Sequence, residues 1–335
     1  MQVTAPIVQA VSAGLLVLGL LLGADSLRWP GTRFPGFLVM PNRVVPSVGL
    51  PGWSGVSEGR PLYQQVVLAV DDVPVASAAA VYDAVAQRAP GSPVRYQVVR
   101  QGVVDTRTLP VQVLEWNAYV LIFGTYLVSW LAYLLLAVVA GKRWHESPLF
   151  PALAAFSWTV GTFALTGTDL YGPGRAYRLH VFAEAMLPAA AVHLALVCPR
   201  DRLRGRSGVL PMLYGSGLAL AMAYELFLYD PAAYTAIHDA CQALVGAALL
   251  AFTIGLGLAL DAPDTTLDTS QLRSCLVGAV VGFGVPAVVL AISGLAGGQV
   301  PVNAIGWFSF AFPAAALVAL RARQGKAVRP ATAPA

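Results

Sequence analysis

Charge is scarce in this chain. Only 11% of its 335 residues are Asp, Glu, Lys or Arg, where an ordinary soluble domain carries about 25%. That deficit, beside 57% hydrophobic residues and several apolar runs near the length of a membrane span, excludes an ordinary soluble protein and points to a polytopic membrane protein. Cysteine is scarce too. Cys198, Cys241 and Cys275 lie within or at the ends of apolar runs, and none belongs to a CxxC or Cys/His pattern. No zinc site or disulfide framework is expected, and the three read as small buried hydrophobes. The basic segment "CPRDRLRGR" reads as a stop and orientation signal, and no nucleic acid is expected as a partner.

What is present is a succession of spans. The first apolar run opens with "MQVTAP", which has no positive charge, and ends at "LLGADS", a poor small-x-small cleavage site. Residues 1–23 therefore read as an uncleaved anchor helix. Seven further runs follow at 117–140, 148–168, 177–198, 208–229, 234–260, 272–297 and 303–321, each long enough to cross the hydrocarbon core as a helix. Basic residues cluster after alternate spans: Lys142 and Arg143, then Arg200, Arg202, Arg204 and Arg206, then Arg321, Arg323, Lys326 and Arg329. The positive-inside rule then makes both termini cytoplasmic and exposes 24–116 outside. The acidic loop "LDAPDTTLDTSQLR" falls inside by parity, which the rule tolerates because acidic residues contribute little.

Residues 33–115 read as a compact α/β unit. "GFLVM" and "RVVPSVGL" are strand-like, "QQVVLAV" is a strand ended by "DDVP", and "SAAAVYDAVAQRA" is a helix with Ser77 at its N-cap. "SPVRYQVVR" alternates as a half-buried strand does, "QG" starts a turn, and "TRTLPVQVL" closes the unit. That order resembles a bacterial PDZ domain. The resemblance rests on "PGFLV" as loop and groove strand, on "VVLAVDDVPVAS", and on "APGSPVRYQVVRQG". Tyr63 and Gln64 depart from it, standing near the family's Gly-Asp pair, and Asp72 stands for its turn glycine. The resemblance implies an extended peptide, or a protein's C-terminus, added as a strand beside the helix. Gly36, Phe37, Leu38 and Val39 would form that edge, Ala78 and Tyr82 would line the groove, and Val81 and Val85 would face the core. The same fold without a working groove would serve to space or pack the membrane part.

The spans from 117 to 321 read as a seven-helix bundle. Catalytic motifs are missing from it: "HESPL" lacks the second histidine of a metalloprotease helix. "YGSGLAL" has Ser216 at a spacing unlike that of rhomboid-like serine proteases, and its small residues suit close packing. No enzyme activity, metal or cofactor is expected. Asp169, His180, Glu184, Glu225, His238 and Asp239 share the outer depth of the spans. They read either as a metal or proton-sensing cluster or, more simply, as hydrogen-bonded residues that fix helix packing. His193 reads as a lone packing residue. Pro188, Pro286 and Pro313 sit inside spans and would kink them.

The full layout resembles the N-terminal sensory region of bacterial PDZ-containing signalling proteins, the competence-type histidine kinases and related serine phosphatases. "LPAAAVHLALVCPRDR", "SQLRSCLVGAVVGFGVP" and "FSFAFPAAALVALRAR" carry that likeness, with Cys198 where phenylalanine is usual. Residues 322–335 are expected to be a disordered cytoplasmic tail, and no phosphoacceptor histidine, nucleotide-binding glycine motif or phosphatase domain appears in them. The chain therefore reads as a sensor working through a cytoplasmic kinase, phosphatase or other effector, or as a piece of a longer protein. The bacterial inner membrane is the expected location. The alternatives are a non-transmitting scaffold that recruits envelope proteins, or a transporter or membrane enzyme built on the outer polar cluster.

Overall fold

The computed structural model describes residues 5–57, 61–262, 265–303 and 305–322. Helix α1 (Ala5–Ser26) leads into an outer unit of β1 (Arg33–Phe34), α2 (Ser54–Ser57), β2 (Val66–Val70), β3 (Val73–Pro74), α3 (Ala78–Ala86), β4 (Pro93–Arg100), β5 (Val103–Pro110) and β6 (Gln112–Val113). Helices follow: α4 (Trp116–Arg143), α5 (Leu149–Gly167), α6 (Tyr177–Val197), α7 (Val209–Phe227), α8 (Pro231–Leu258), α9 (Thr269–Leu295), α10 (Ile305–Ser309) and α11 (Ala311–Ala322). Among the described residues, α1 and α4 to α9 are the seven helices long and apolar enough to cross a membrane, the architecture of a polytopic helical membrane protein. Their outward faces carry large apolar side chains such as Leu20, Leu226, Leu258 and Leu295, as a lipid-facing belt requires. The expected tail falls almost entirely outside the described residues.

In the outer unit, β3-β2-β4-β5 form one antiparallel sheet and β1 pairs with β6. Both tight turns use left-handed backbone at two successive residues, Asp71 and Asp72 in one, Gln101 and Gly102 in the other. That geometry matches the twist of hairpin strands. The aspartates are held there by arginines: Arg88 lies 2.5 Å from Asp71, and Arg95 pairs with Asp72. Ser77 caps α3 by accepting the Ala80 N–H at 3.3 Å, and Val81 and Val85 face the core as expected.

The stretches "GFLVM" and "RVVPSVGL" differ from the strands expected. They are buried but bent, with left-handed backbone at Gly36 and Arg43, and make only a partial ladder, in which Val45 N–H donates to Gln65 O and Gln64 N–H to Val45 O, both at 2.8 Å. Pro41 and Pro46 lack the N–H groups that a continuous ladder needs.

The eighth expected span, 303–321, is a shorter and interrupted segment. A helix through Pro313 would need its missing N–H to bond the Ser309 carbonyl. The chain breaks between α10 and α11 instead, and the Tyr133 hydroxyl donates to that carbonyl at 3.1 Å. Pro286 follows a widened π turn, Val280–Gly284, within α9, whereas α6 continues unbroken through Pro188. Gly278 and Gly282 let α11 approach α9 at backbone distance: a Cβ on Gly282 would lie 2.9 Å from the Phe312 nitrogen. Around that contact Phe156, Phe252, Phe283 and Phe312 pack ring against ring.

The outer unit caps the end of the bundle where α1 ends and α4 begins. Lys142, Arg143 and Arg321 lie at the other ends of α4 and α11.

Candidate functional site

Two layers meet where the outer unit rests on the helices. One is an apolar and aromatic seam, the other a polar cluster just beneath it.

The seam is built from the segment after β1. Gly36 has φ +81°, and a Cβ there would run into Ser54, so glycine is required. The next three side chains alternate. Phe37 and Val39 point into the core of the outer unit, with Val81, Tyr96 and Val98. Leu38 points the other way, into a cluster with Tyr119, Phe123, Tyr171 and Tyr177 of the helical part. All three are buried, and burying Leu38 and Phe34 in this seam contributes about 1.5–3 kcal/mol each. Ala78 is buried in the unit's core, and Tyr82 is half-buried between the two clusters. The Tyr82 hydroxyl accepts the Val39 N–H at 2.9 Å, and burial raises its pKa, keeping it neutral. From Tyr82 a run of rings enters the bundle. Tyr82 meets Trp29 edge-on at 5.1 Å, Trp29 stacks on Phe123 at 5.8 Å, and Phe123 stacks on Tyr119 at 5.3 Å.

A second connection is polar and lies far off in sequence. The loop between α9 and α10 is bonded to the outer unit along its length. Val302 N–H donates to Ser47 O at 2.8 Å, and Ser47 Oγ donates to Gly298 O at 2.6 Å. Gln299 Nε2 donates to Tyr63 O and Arg100 Nη2 to Gly297 O, each at 2.9 Å. Asn303 accepts the Gly49 N–H at 3.0 Å and donates back to Gly49 O. Gln64, at positive φ, bonds Ser47 at 2.9 Å. Sequence reasoning missed this loop, because "AGGQVPVN" reads as an ordinary turn.

The six residues expected to form an outer polar cluster are distributed among different tasks. Glu184 and His238 do meet, with Oε1 and Nδ1 2.5 Å apart, and the carboxylate is 2% exposed. Gln242, one turn beyond His238, donates to the same carboxylate at 3.2 Å. His180 instead bonds the Thr166 hydroxyl at 3.0 Å and stacks on Phe163. Asp169 accepts the Ala176 N–H at 2.7 Å at the entry to α6, where burial raises its pKa. Glu225 pairs with exposed Arg178 at 3.0 Å, and Asp239 is exposed. Among the described residues no group of three or more His, Cys, Asp or Glu is placed to hold a metal ion. His193, expected to stand alone, bonds the Tyr214 hydroxyl of α7 at 3.0 Å. Gln242 was legible in principle as the i+4 neighbour of His238, but an amide in an apolar run carries little signal.

The chain matches no family model, no curated protein and no solved structure.

Proposed function

We propose that this protein is a bacterial inner-membrane sensor. Its outer PDZ-like unit faces away from the cytoplasm, binds a peptide or a protein's C-terminus, and biases the helical part. The helices then report to a cytoplasmic effector, with both termini on that side. The observation that carries this reading is the double attachment of the outer unit. Rings run from Tyr82 through Trp29 to Phe123 at the head of α4, and hydrogen bonds run from Ser47, Gly49 and Tyr63 to the loop that opens the last segment. A strand added at Phe37–Val39 needs the Val39 N–H that Tyr82 now occupies. Binding there would displace Tyr82 and loosen its contact with Trp29, so a ligand would favour a second packing of the bundle. Such differential affinity is what a switch requires.

A packing role without peptide is favoured by one observation: Leu38 is buried against the helices and leaves that face of the edge occupied. This is the scaffold reading. One experiment separates the two. A library of displayed C-terminal peptides is panned against the full chain in lipid nanodiscs, as wild type and as Tyr82→Phe. The sensor reading expects enrichment of a common C-terminal pattern, several-fold stronger with Tyr82→Phe because the Val39 amide is freed. Spin labels at Asp105 and Arg204 should then change separation on adding the enriched peptide. Recovery of no sequence above background by either protein would sink peptide binding, and binding without any distance change would leave a scaffold.

A further inference from the structure

At the end of the bundle opposite the outer unit, α4 and α11 enclose a groove of about 220 Å³ lined by Leu135, Val139, Lys142, Arg143, Leu317 and Arg321. The lining is ordered along the helix axes. On α4, Leu135, Val139 and the Lys142–Arg143 pair succeed one another at roughly one-turn intervals, so they share a face. On α11, Leu317 and Arg321 are one turn apart on the facing side. The groove is therefore apolar toward the middle of the spans and cationic at their ends. Lys142, Arg143 and Arg321 are exposed, and among the described residues no carboxylate lies within 4.0 Å of any of them. Glu146, the acidic residue nearest in sequence to the α4 pair, lies beside His145 at 3.7 Å.

We propose that this groove binds an anionic phospholipid of the leaflet at that end, its phosphate against Lys142, Arg143 and Arg321 and one acyl chain along Leu135, Val139 and Leu317. Three cations with no carboxylate partner among the described residues need a counter-charge at the membrane–water boundary, and a lipid supplies it while filling the apolar part of the same groove. Basic pockets between helices commonly take acidic headgroups in this way. A water-soluble anion would satisfy the cations and leave the leucines uncovered. The consequence is mechanical, since the lipid would bridge the last segment to α4 at the end of α11.

The test is native mass spectrometry of the full chain released from micelles holding equal phosphatidylglycerol and phosphatidylcholine. The wild type should retain at least one phosphatidylglycerol in preference to phosphatidylcholine. The triple variant Lys142→Gln/Arg143→Gln/Arg321→Gln should lose that preference by about tenfold or more. A control triple, Arg200→Gln/Arg204→Gln/Arg206→Gln, removes equal charge from the exposed loop at the same end and should leave retention unchanged. Leu317→Ser should weaken retention of long-chain phosphatidylglycerol without altering its headgroup preference. Equal loss in the control triple would overturn the proposal in favour of diffuse attraction. Displacement of the lipid by millimolar inorganic phosphate would overturn it in favour of a soluble-anion site, and full retention by the groove variant would overturn it outright.

Discussion

The last segment, α10–α11, and the pair α7–α8 are attached to the same bundle in different ways. The last segment is short and broken, and its hold is close: glycines of α9 admit its backbone, phenylalanines close around Phe312, Tyr133 and Gln271 donate to its Ser309 and Ala319 carbonyls, and the outer unit grips the loop before it. Helices α7 and α8 are long and unbroken, yet 11% and 22% of their apolar windows are buried, against 72% for α6. Most of their surface faces outward, as it would toward lipid. Near the outer end α8 is tied inward by buried Tyr234 and Cys241 and by the buried Glu184 carboxylate with its two polar partners. Close backbone approach holds the one, while α8 is held by a narrow inward stripe that continues through Phe252 and Leu256. Lipid tails are as apolar as leucine, so close packing and polar contacts, rather than hydrophobicity alone, hold such a helix in place.

The comparison is most sharply tested at His238. His238→Ala leaves the buried Glu184 carboxylate with Gln242 as a partner but without His238, and taking a hydrogen bond from a buried charged group costs about 3 kcal/mol. Glu184→Ala should cost less, because the His238 side chain is 38% exposed and can turn to water. Thermal unfolding of both variants in micelles measures the asymmetry, and equal losses would mean that the pair is not what anchors α8. Next comes a pair of glycine substitutions. Gly282→Leu overpacks the contact with Phe312 and should cost about 1–3 kcal/mol. Gly215→Leu on α7 meets open space and should stay within about 0.5 kcal/mol of wild type. If the two melt alike, the last segment is not held by close approach.

The smallest effect is in the outer unit and serves as a control on both. The Asp71 pKa is lowered from 3.8, first by the Arg95 backbone N–H and further by Arg88. A depressed carboxylate stabilises the fold above its unfolded value and loses that contribution as pH falls through its lower folded value. Acidification below 3.8 should therefore loosen the hairpin turn at Asp71, while the Gly282 contact, which carries no titrating group, should not respond. Hydrogen exchange of β2 and β4 measures it, and Asp71→Asn should remove that part of the acid response.

Much of this was readable beforehand. The apolar runs located α1 and α4 to α9 to within a few residues, because a helix in lipid must be about as long as the hydrocarbon is thick. Ser77, the "DDVP" turn and the "QG" turn were legible because caps and tight turns depend on near neighbours. The break before Pro313 was legible only as a kink, and the rescue of the Ser309 carbonyl by Tyr133 was not, since those residues are far apart in sequence. Of the candidate peptide edge, the strand-like run through Phe37, Leu38 and Val39 was visible, but which body each side chain faces was not.

Length, hydropathy and local turn chemistry thus followed from the order of residues alone, because each is decided within a turn or two of chain. Which polar groups meet was decided by packing. Glu184 found His238 rather than His180, one turn away on its own helix, because α8 brings its ring to the carboxylate while Thr166 and Phe163 of α5 hold His180 aside. The grip of Ser47 and Gly49 on a loop some 250 residues distant likewise exists only once the chain is folded. Such contacts join residues that no local pattern relates.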